Sequence, residues 1–545
     1  MRRRPELTSR EKLMPGRPKS LMAGLALLAL IAAACSSSPA GTGSPQASGS
    51  SGSEPTITVG IATAPDSLDP VQAASYESRV VLFNMCYALY TPTADNAVAP
   101  QLASALPVIS NGGKTYTIHL RSGVKFNDGT PFTAAAVKTT LERDITDPVS
   151  AESAQLAAVK TIKVINTTTV ELDLSQPYAP LTSFLADRAG MIESPTDLKK
   201  LGNNFGNDPV CVAPFEFASH PSEDKIVLKK SPYFYGASSV HLGGLIYQVI
   251  TQPSILATDL QAGSIQVAND LIPTSANQLT GDSSVHLLRS TSLGYDVITI
   301  NVSNSHGAAT PPFTNVGTPI AQHPELRKAL ELSLSRATIN SVVFDGQYVP
   351  GCGAISSASP FFPSAPCPGQ NIAEAKKLVA QSGVKTPIPL TLLIASGNSE
   401  QTQLGTVIAQ MASKAGFNIK LLPEDAVTGG TQVLKGKFQL YLNQWSGRVD
   451  PDLNITPFWS PDSKINYSGV DDKALNTVVA QAAGTTDMAQ RKALYNQAQV
   501  IMLNDLDYIS LFYPKLIMGE RSNVTGVQFF SDGLPRFAAA SMSGS

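Results

Sequence analysis

The sequence predicts a large α/β protein, and three observations carry that prediction. Between residues 371 and 445 helical and strand patterns alternate, as helix 371–383, strand 389–395, helix 400–415 and strands 417–422 and 438–445. Such alternation builds a mostly parallel sheet with helices on both faces. Residues 116–143 compress a strand, a turn and a capped helix into one unit. The chain has 545 residues, 43% hydrophobic and 15% charged, so an extensive core is available. That length suggests about three structural units.

The elements follow in order. Residues 56–62 (TITVGIA) alternate apolar and polar side chains, the period of a half-buried strand. Ser75 is placed to cap a helix running through Tyr90, with Val80, Phe83, Tyr87 and Tyr90 on one core-facing stripe. Tyr116, Ile118 and Leu120 alternate with Thr117, His119 and Arg121 as a second strand. Asn127-Asp128-Gly129 is a turn tripeptide, because Asx and Gly tolerate left-handed backbone, and Thr133 caps the helix that follows. Residues 161–174 read as a hairpin turning at Asn166, and 255–263 as a short helix ended by Gly263. A strand is expected over 294–302. Residues 324–343 predict one long helix, with Pro324 in its first turn and Leu326, Leu330 and Leu334 in a stripe. Residues 490–503 predict a helix and 508–513 a strand.

The N-terminus carries its own signal. Residues 1–34 combine a basic leader with a short apolar run ending Ala32-Ala33-Ala34, the pattern of a secretory signal peptide. The run is shorter than the roughly 20 apolar residues of a membrane-spanning helix. Cys35 directly after the small residues resembles a bacterial lipobox and would become a lipidated mature N-terminus. Residues 35–54, rich in Ser, Gly and Pro, predict a flexible tether with a reach of roughly 25 Å.

Composition excludes several classes of function. Without the leader, 33 basic residues face 40 acidic ones, a net charge of −7 that argues against a nucleic-acid partner. The six His, at 119, 220, 241, 286, 306 and 323, show no metal-binding spacing, and no G-x-S-x-G elbow or P-loop occurs. Neither a metal nor a cofactor is expected, and no motif argues for an enzyme. Cys86, Cys211, Cys352 and Cys367 allow three pairings. Cys352–Cys367, closing a short Pro/Ser-rich loop, is favoured, and Cys86–Cys211 follows by elimination; free buried thiols are the alternative.

The order of residues within 116–143, Y-T-x-x-L-R-x-G-V-K-F-x-D-G-T-P-x-T-A-x-x-V-K-x-x-L-E-R, resembles the signature of the family 5 extracytoplasmic solute-binding proteins, the peptide- and nickel-binding receptors of ABC importers. Ser67-Leu68-Asp69-Pro70 matches the family's SLDP, after which residues 71–76, with Ser75 and Tyr76, would line the ligand cleft. Residues 210–215 stand where the family has GTGPY, but without its glycines. Residues 225–236 resemble the strand and NPxYW turn that follow. The resemblance spans about residues 55–528. It implies a two-lobed periplasmic-binding-protein type II-like fold: a first lobe over 55–300 with an inserted β-rich subdomain at about 91–200, a second lobe over 301–504, and a return to the first over 505–545.

The same resemblance points to a ligand site. Residues 443–452 (NQWSGRVDPD) resemble the family's W-x-x-D-x-x-D-P segment, in which the first Asp meets the free amine of a peptide. Here Arg448 stands at that Asp and the segment is one residue shorter. Either Arg448 selects an anionic or amine-free ligand by bidentate pairing, or Asp450 becomes the amine partner and Arg448 faces solvent. Trp445, Ser446, Gly447 and Tyr295 complete the expected lining, although Tyr295, Trp445 and Trp459 suit core burial equally well. The implied protein is a monomeric lipoprotein on the extracytoplasmic face of the cell membrane. It would capture a peptide or other small solute by hinge closure and deliver it to a membrane permease. A tethered sensor without transport and a secreted hydrolase are the rivals.

Overall fold

The computed structural model of the protein describes residues 54–308 and 310–544. The signal segment, Cys35 and all of the tether but Glu54 lie outside the described residues. Among the described residues no helix is long and apolar enough to cross a membrane.

A seven-stranded sheet runs in the order Val285–Thr291, Lys515–Arg521, Val267–Ala268, Thr56–Ile61, Gly244–Val249, Lys225–Lys230, Phe215–Ser222. Thr56–Ile61 lies parallel to both neighbours and buries Ile57, Val59 and Ile61 beneath Val80 to Phe83. Those residues belong to helix Tyr76–Met85, whose cap is Ser75. The helix stops five residues short of the predicted Tyr90. Cys86 is bonded to Cys211, and the Tyr87 amide donates to Val212 O at 2.8 Å, which draws the chain out of helical geometry.

A four-stranded antiparallel sheet, Val108–Ser110, Thr115–His119, Thr169–Leu174, Val159–Asn166, has a core of its own built with helix Ala134–Thr146. Thr133 caps that helix, and Asn166 Oδ1 accepts from the Thr168 amide at 2.9 Å to close the hairpin.

A six-stranded sheet runs Val349–Pro350, Tyr508–Tyr513, Tyr295–Ile300, Leu440–Trp445, Ile388–Ala395, Phe417–Glu424. The expected parallel arrangement holds only for its last three strands. Tyr295–Ile300 and Tyr508–Tyr513 are antiparallel to their neighbours. Tyr295–Ile300 enters from the first lobe, whereas Tyr508–Tyr513 follows helix Met488–Asp505 of the second lobe and leaves for the first.

Both crossing strands therefore belong to the second sheet. Tyr295–Ile300 continues from Val285–Thr291, and Tyr508–Tyr513 continues into Lys515–Arg521, each partner lying in the first sheet. The switch from one sheet to the other falls at residues 292–294 and at Pro514, not at the expected 300 and 505. The two crossings are bonded together, the Ser292 amide donating to Pro514 O at 2.9 Å.

The predicted helix over 324–343 is two, Pro324–Ser333 and Arg336–Val343. Leu334 is extended and Ser335 caps the second helix. The break lets buried Arg336 donate to Gly351 O and Ser510 O while pairing with Glu331 at 2.9 Å. The second disulfide, Cys352–Cys367, is also present.

Candidate functional site

The loop after strand Leu440–Trp445 carries most of the predicted site. Gly447 has φ +75°, a conformation that strains any residue with a Cβ. Asn454 organises the loop around it: its Oδ1 accepts from Trp445 Nε1 at 2.9 Å and from the Arg448 amide at 2.8 Å, and its Nδ2 donates to Arg448 O. No spacing rule marks Asn454 in the sequence.

Arg448 does not face solvent. It is 9% exposed, and its Nε lies 2.9 Å from Oδ2 of Asp187, a residue of the first lobe. Arg79 Nη2 reaches the same oxygen at 2.8 Å. The Arg448 guanidinium also donates to Ser446 Oγ at 3.1 Å and lies over the Trp445 ring. Burial and then Arg79 lower the Arg448 pKa to about 9, against the opposing pull of Asp187. Burial would raise the Asp187 carboxyl, but Arg79, Arg448 and Arg188 hold it well below the usual range. Arg448 is thus committed to an ion pair between lobes and is not an open anion receptor.

Asp450 is no open amine receptor either. It is 4% exposed, with Oδ1 2.8 Å from Arg491 Nη2 of the same lobe. Tyr295 is fully buried and its hydroxyl donates to Asn454 O at 2.8 Å, so it is core. Trp445 is half-buried and packs edge-on against Phe458. Ser75 spends its hydroxyl on the Ser78 amide as a helix cap. Tyr76 donates to Gly533 O and accepts from Asn269 Nδ2 at 3.2 Å. Val71 and Ala73 are buried, not cleft-lining.

A second cluster assembles from residues that no motif flagged. Asp270 follows strand Val267–Ala268, and Glu77 lies in the first turn of helix Tyr76–Met85, both in the first lobe. Asp296 opens strand Tyr295–Ile300 opposite Gln444, and Glu400 lies in the first turn of helix Ser399–Ser413, just beyond strand Ile388–Ala395. Asp270, Glu400 and Asp296 therefore cluster at strand ends where the two sheets approach, the position ligands occupy in open α/β sheets. Burial raises Glu77, Asp296 and Glu400, and the charge of Asp270 raises each of them further. Glu400 reaches about 7.

The model of the bacterial extracellular solute-binding proteins, family 5, middle region, matches residues 97–466. The chain belongs to this family. Glutathione-binding protein GsiB of Escherichia coli strain K12 is 26% identical over 490 residues, covering 87% of this chain and 92% of GsiB. Among solved structures, DppA of Helicobacter pylori in complex with the peptide STSA superposes with a TM-score of 0.78 at 21% identity, over 89% of this chain and 98% of DppA. AgaA of A. tumefaciens R10 in complex with agropinic acid gives 0.78 at 23% identity, over 90% and 99%.

This family 5 protein is a substrate-binding component of an ABC importer and not an enzyme. Its seam between lobes also holds a half-open cavity of about 700 Å³, where Gln155 and Tyr178 of the inserted subdomain join Asp452 and Trp459 in the lining. Such a volume is within the range of small-molecule sites. Tyr178 donates to Asp452 Oδ2 at 2.9 Å, and burial followed by the charge of Asp450 lifts the Asp452 carboxyl to about 6. Arg448, Asp187 and Arg79 meet in one knot, whereas Tyr295 and Asp450 serve the second lobe alone.

Proposed function

We propose that this chain is a lipid-anchored receptor whose two lobes close on a solute and present it to a membrane permease. The observation that carries the reading is the pair of adjacent crossings at residues 292–294 and Pro514, the only covalent links between the two large sheets among the described residues. Two short parallel links permit bending about one axis while restraining twist. A solute touching both lobes favours the closed arrangement over the open one, and that difference in affinity alone shifts the population. Arg448 and Asp187 add a contact that exists only when the lobes meet.

The relatives' names, which cover glutathione, agropinic acid and a peptide, support a small polar solute or short peptide as the cargo class. The basic leader, apolar run and Cys35 support export followed by lipidation, with residues 36–54 as the tether. Small-angle scattering tests the clamp. The radius of gyration is expected to fall on saturation with the solute recovered by native mass spectrometry from gently purified protein; an unchanged radius overturns the reading.

A further inference from the structure

Glu77 and Asp270 of one lobe and Asp296 and Glu400 of the other lie at strand ends and helix starts near the crossings, with no cation paired to them. None of Glu77, Asp270, Asp296 and Glu400 takes part in an ion pair among the described residues. The charges acting on them come from one another and from Asp66, all of the same sign. Each lobe also leaves a hydrogen-bond acceptor orphaned at this place. Asp296 is 7% exposed and its Oδ1 has no partner; Asn269, beside Asp270, is 2% exposed and its Oδ1 has none. Leaving such a group unpaired away from water is costly, so buried acceptors are ordinarily matched to donors.

An occupant that repairs both defects brings N–H donors and positive charge together. A single metal ion does not fit, because among the described residues no three His, Cys, Asp or Glu side chains converge closely enough to hold one. The carboxylates are spread over the cleft walls, two on each lobe, and Asp270 remains open to solvent. The ligand's positive charge must be spread as well.

We propose that the cleft takes an organic cation with two or more separated amino or guanidino groups, bridging Glu77 and Asp270 of one lobe to Asp296 and Glu400 of the other. This rests on the reading that the space between the lobes is the solute site. It also gives closure a cause: without the cation the carboxyls of the two walls take up protons as they approach, and with it they release them and are drawn together as anions.

The test is isothermal titration calorimetry on the purified full-length protein with spermidine, trilysine, trialanine and triglutamate, paired with small-angle scattering. Spermidine or trilysine is expected to bind, with affinity falling as NaCl is raised. Asp270→Asn and Asp296→Asn are each expected to weaken that binding about tenfold or more, and surface Glu142→Gln to leave it unchanged. Trialanine binding as tightly as trilysine overturns the assignment. So does the absence of heat from both cationic probes up to millimolar concentration, or wild-type affinity in both Asn variants. Asp270 is solvent-accessible, so its variant stays informative if Asp296→Asn folds poorly. Trialanine or triglutamate binding with a smaller radius of gyration would overturn the cation class and leave the clamp standing. Trilysine binding lost in the Asn variants but without compaction would overturn the clamp and uphold the cation.

Discussion

Gly447 lies directly against the backbone of Gly294, so that the site loop and the first crossing touch with no side chain between them. A Cβ built on Gly447 would sit 2.2 Å from Gly294 N, and one on Gly294 would sit 1.8 Å from Trp445 O. Gly447 also holds φ +75°. Gly447→Ala is therefore expected to lose about 3 kcal/mol or more from backbone strain and overlap together. Gly430→Ala is the matched control: it lies in helix Ala426–Leu434 with no atom within 4 Å of the new methyl, and should be neutral or stabilising. Denaturant unfolding of the two variants checks both.

The knot between lobes predicts an asymmetry. Arg448→Met leaves Asp187 still paired with Arg79, whereas Asp187→Asn leaves two buried guanidiniums sharing no carboxylate. Removing one partner of a buried pair costs about 3–5 kcal/mol when the other charge is stranded. Asp187→Asn should approach that figure and Arg448→Met should cost clearly less. Arg448→Met should also enlarge the radius of gyration of the unliganded protein, since its ion pair with Asp187 is made across the seam. Thermal unfolding and scattering read the two effects separately.

Stability of the unliganded protein should fall as pH rises from about 5 to 8. Burial lifts Glu400 and Asp507 to about 7. Between the ordinary carboxyl range and about 7, the folded chain holds protons that the unfolded chain has already released, so raising pH favours unfolding. The combined effect is on the order of a few kcal/mol, complete above about pH 8. A melting temperature that rises steadily over this interval would contradict the burial of these groups.

Cys35→Ala should move the protein from the membrane fraction to the soluble extracytoplasmic fraction while leaving solute affinity within about twofold, since an acyl chain contributes to anchoring and not to the cleft. Fractionation of cells followed by immunoblotting decides it. Retention of the variant in the membrane fraction would remove the lipid anchor from the reading.

Local order was legible where one residue fixes a boundary. Ser75, Thr133 and Asn166 each bond a backbone amide within three residues, so their roles follow from neighbours in the sequence. The family resemblance similarly located the loop of Arg448. What that loop touches was not legible, because Asp187 is brought to it by folding of a different lobe. The same holds for Glu77, Asp270, Asp296 and Glu400, which share no segment and no spacing. One clue did exist: Asp296 is the sole charge in the run GYDVITINV, and a carboxylate in an otherwise buried strand signals a special environment. The split of residues 324–343 was hidden for a related reason. A leucine stripe continues through it, but the buried Arg336 finds its acceptors at Gly351 and Ser510.

The place of Lys515–Arg521, between Val285–Thr291 and Val267–Ala268, sets the order in which the molecule can mature. The seven-stranded sheet is left with an open slot until nearly the whole polypeptide has emerged, because the segment that fills it comes so late. Pairings this distant close slowly and stay reversible until they do. Until that segment arrives, the sheet of the first lobe stays divided into one strand on one side of the slot and five on the other.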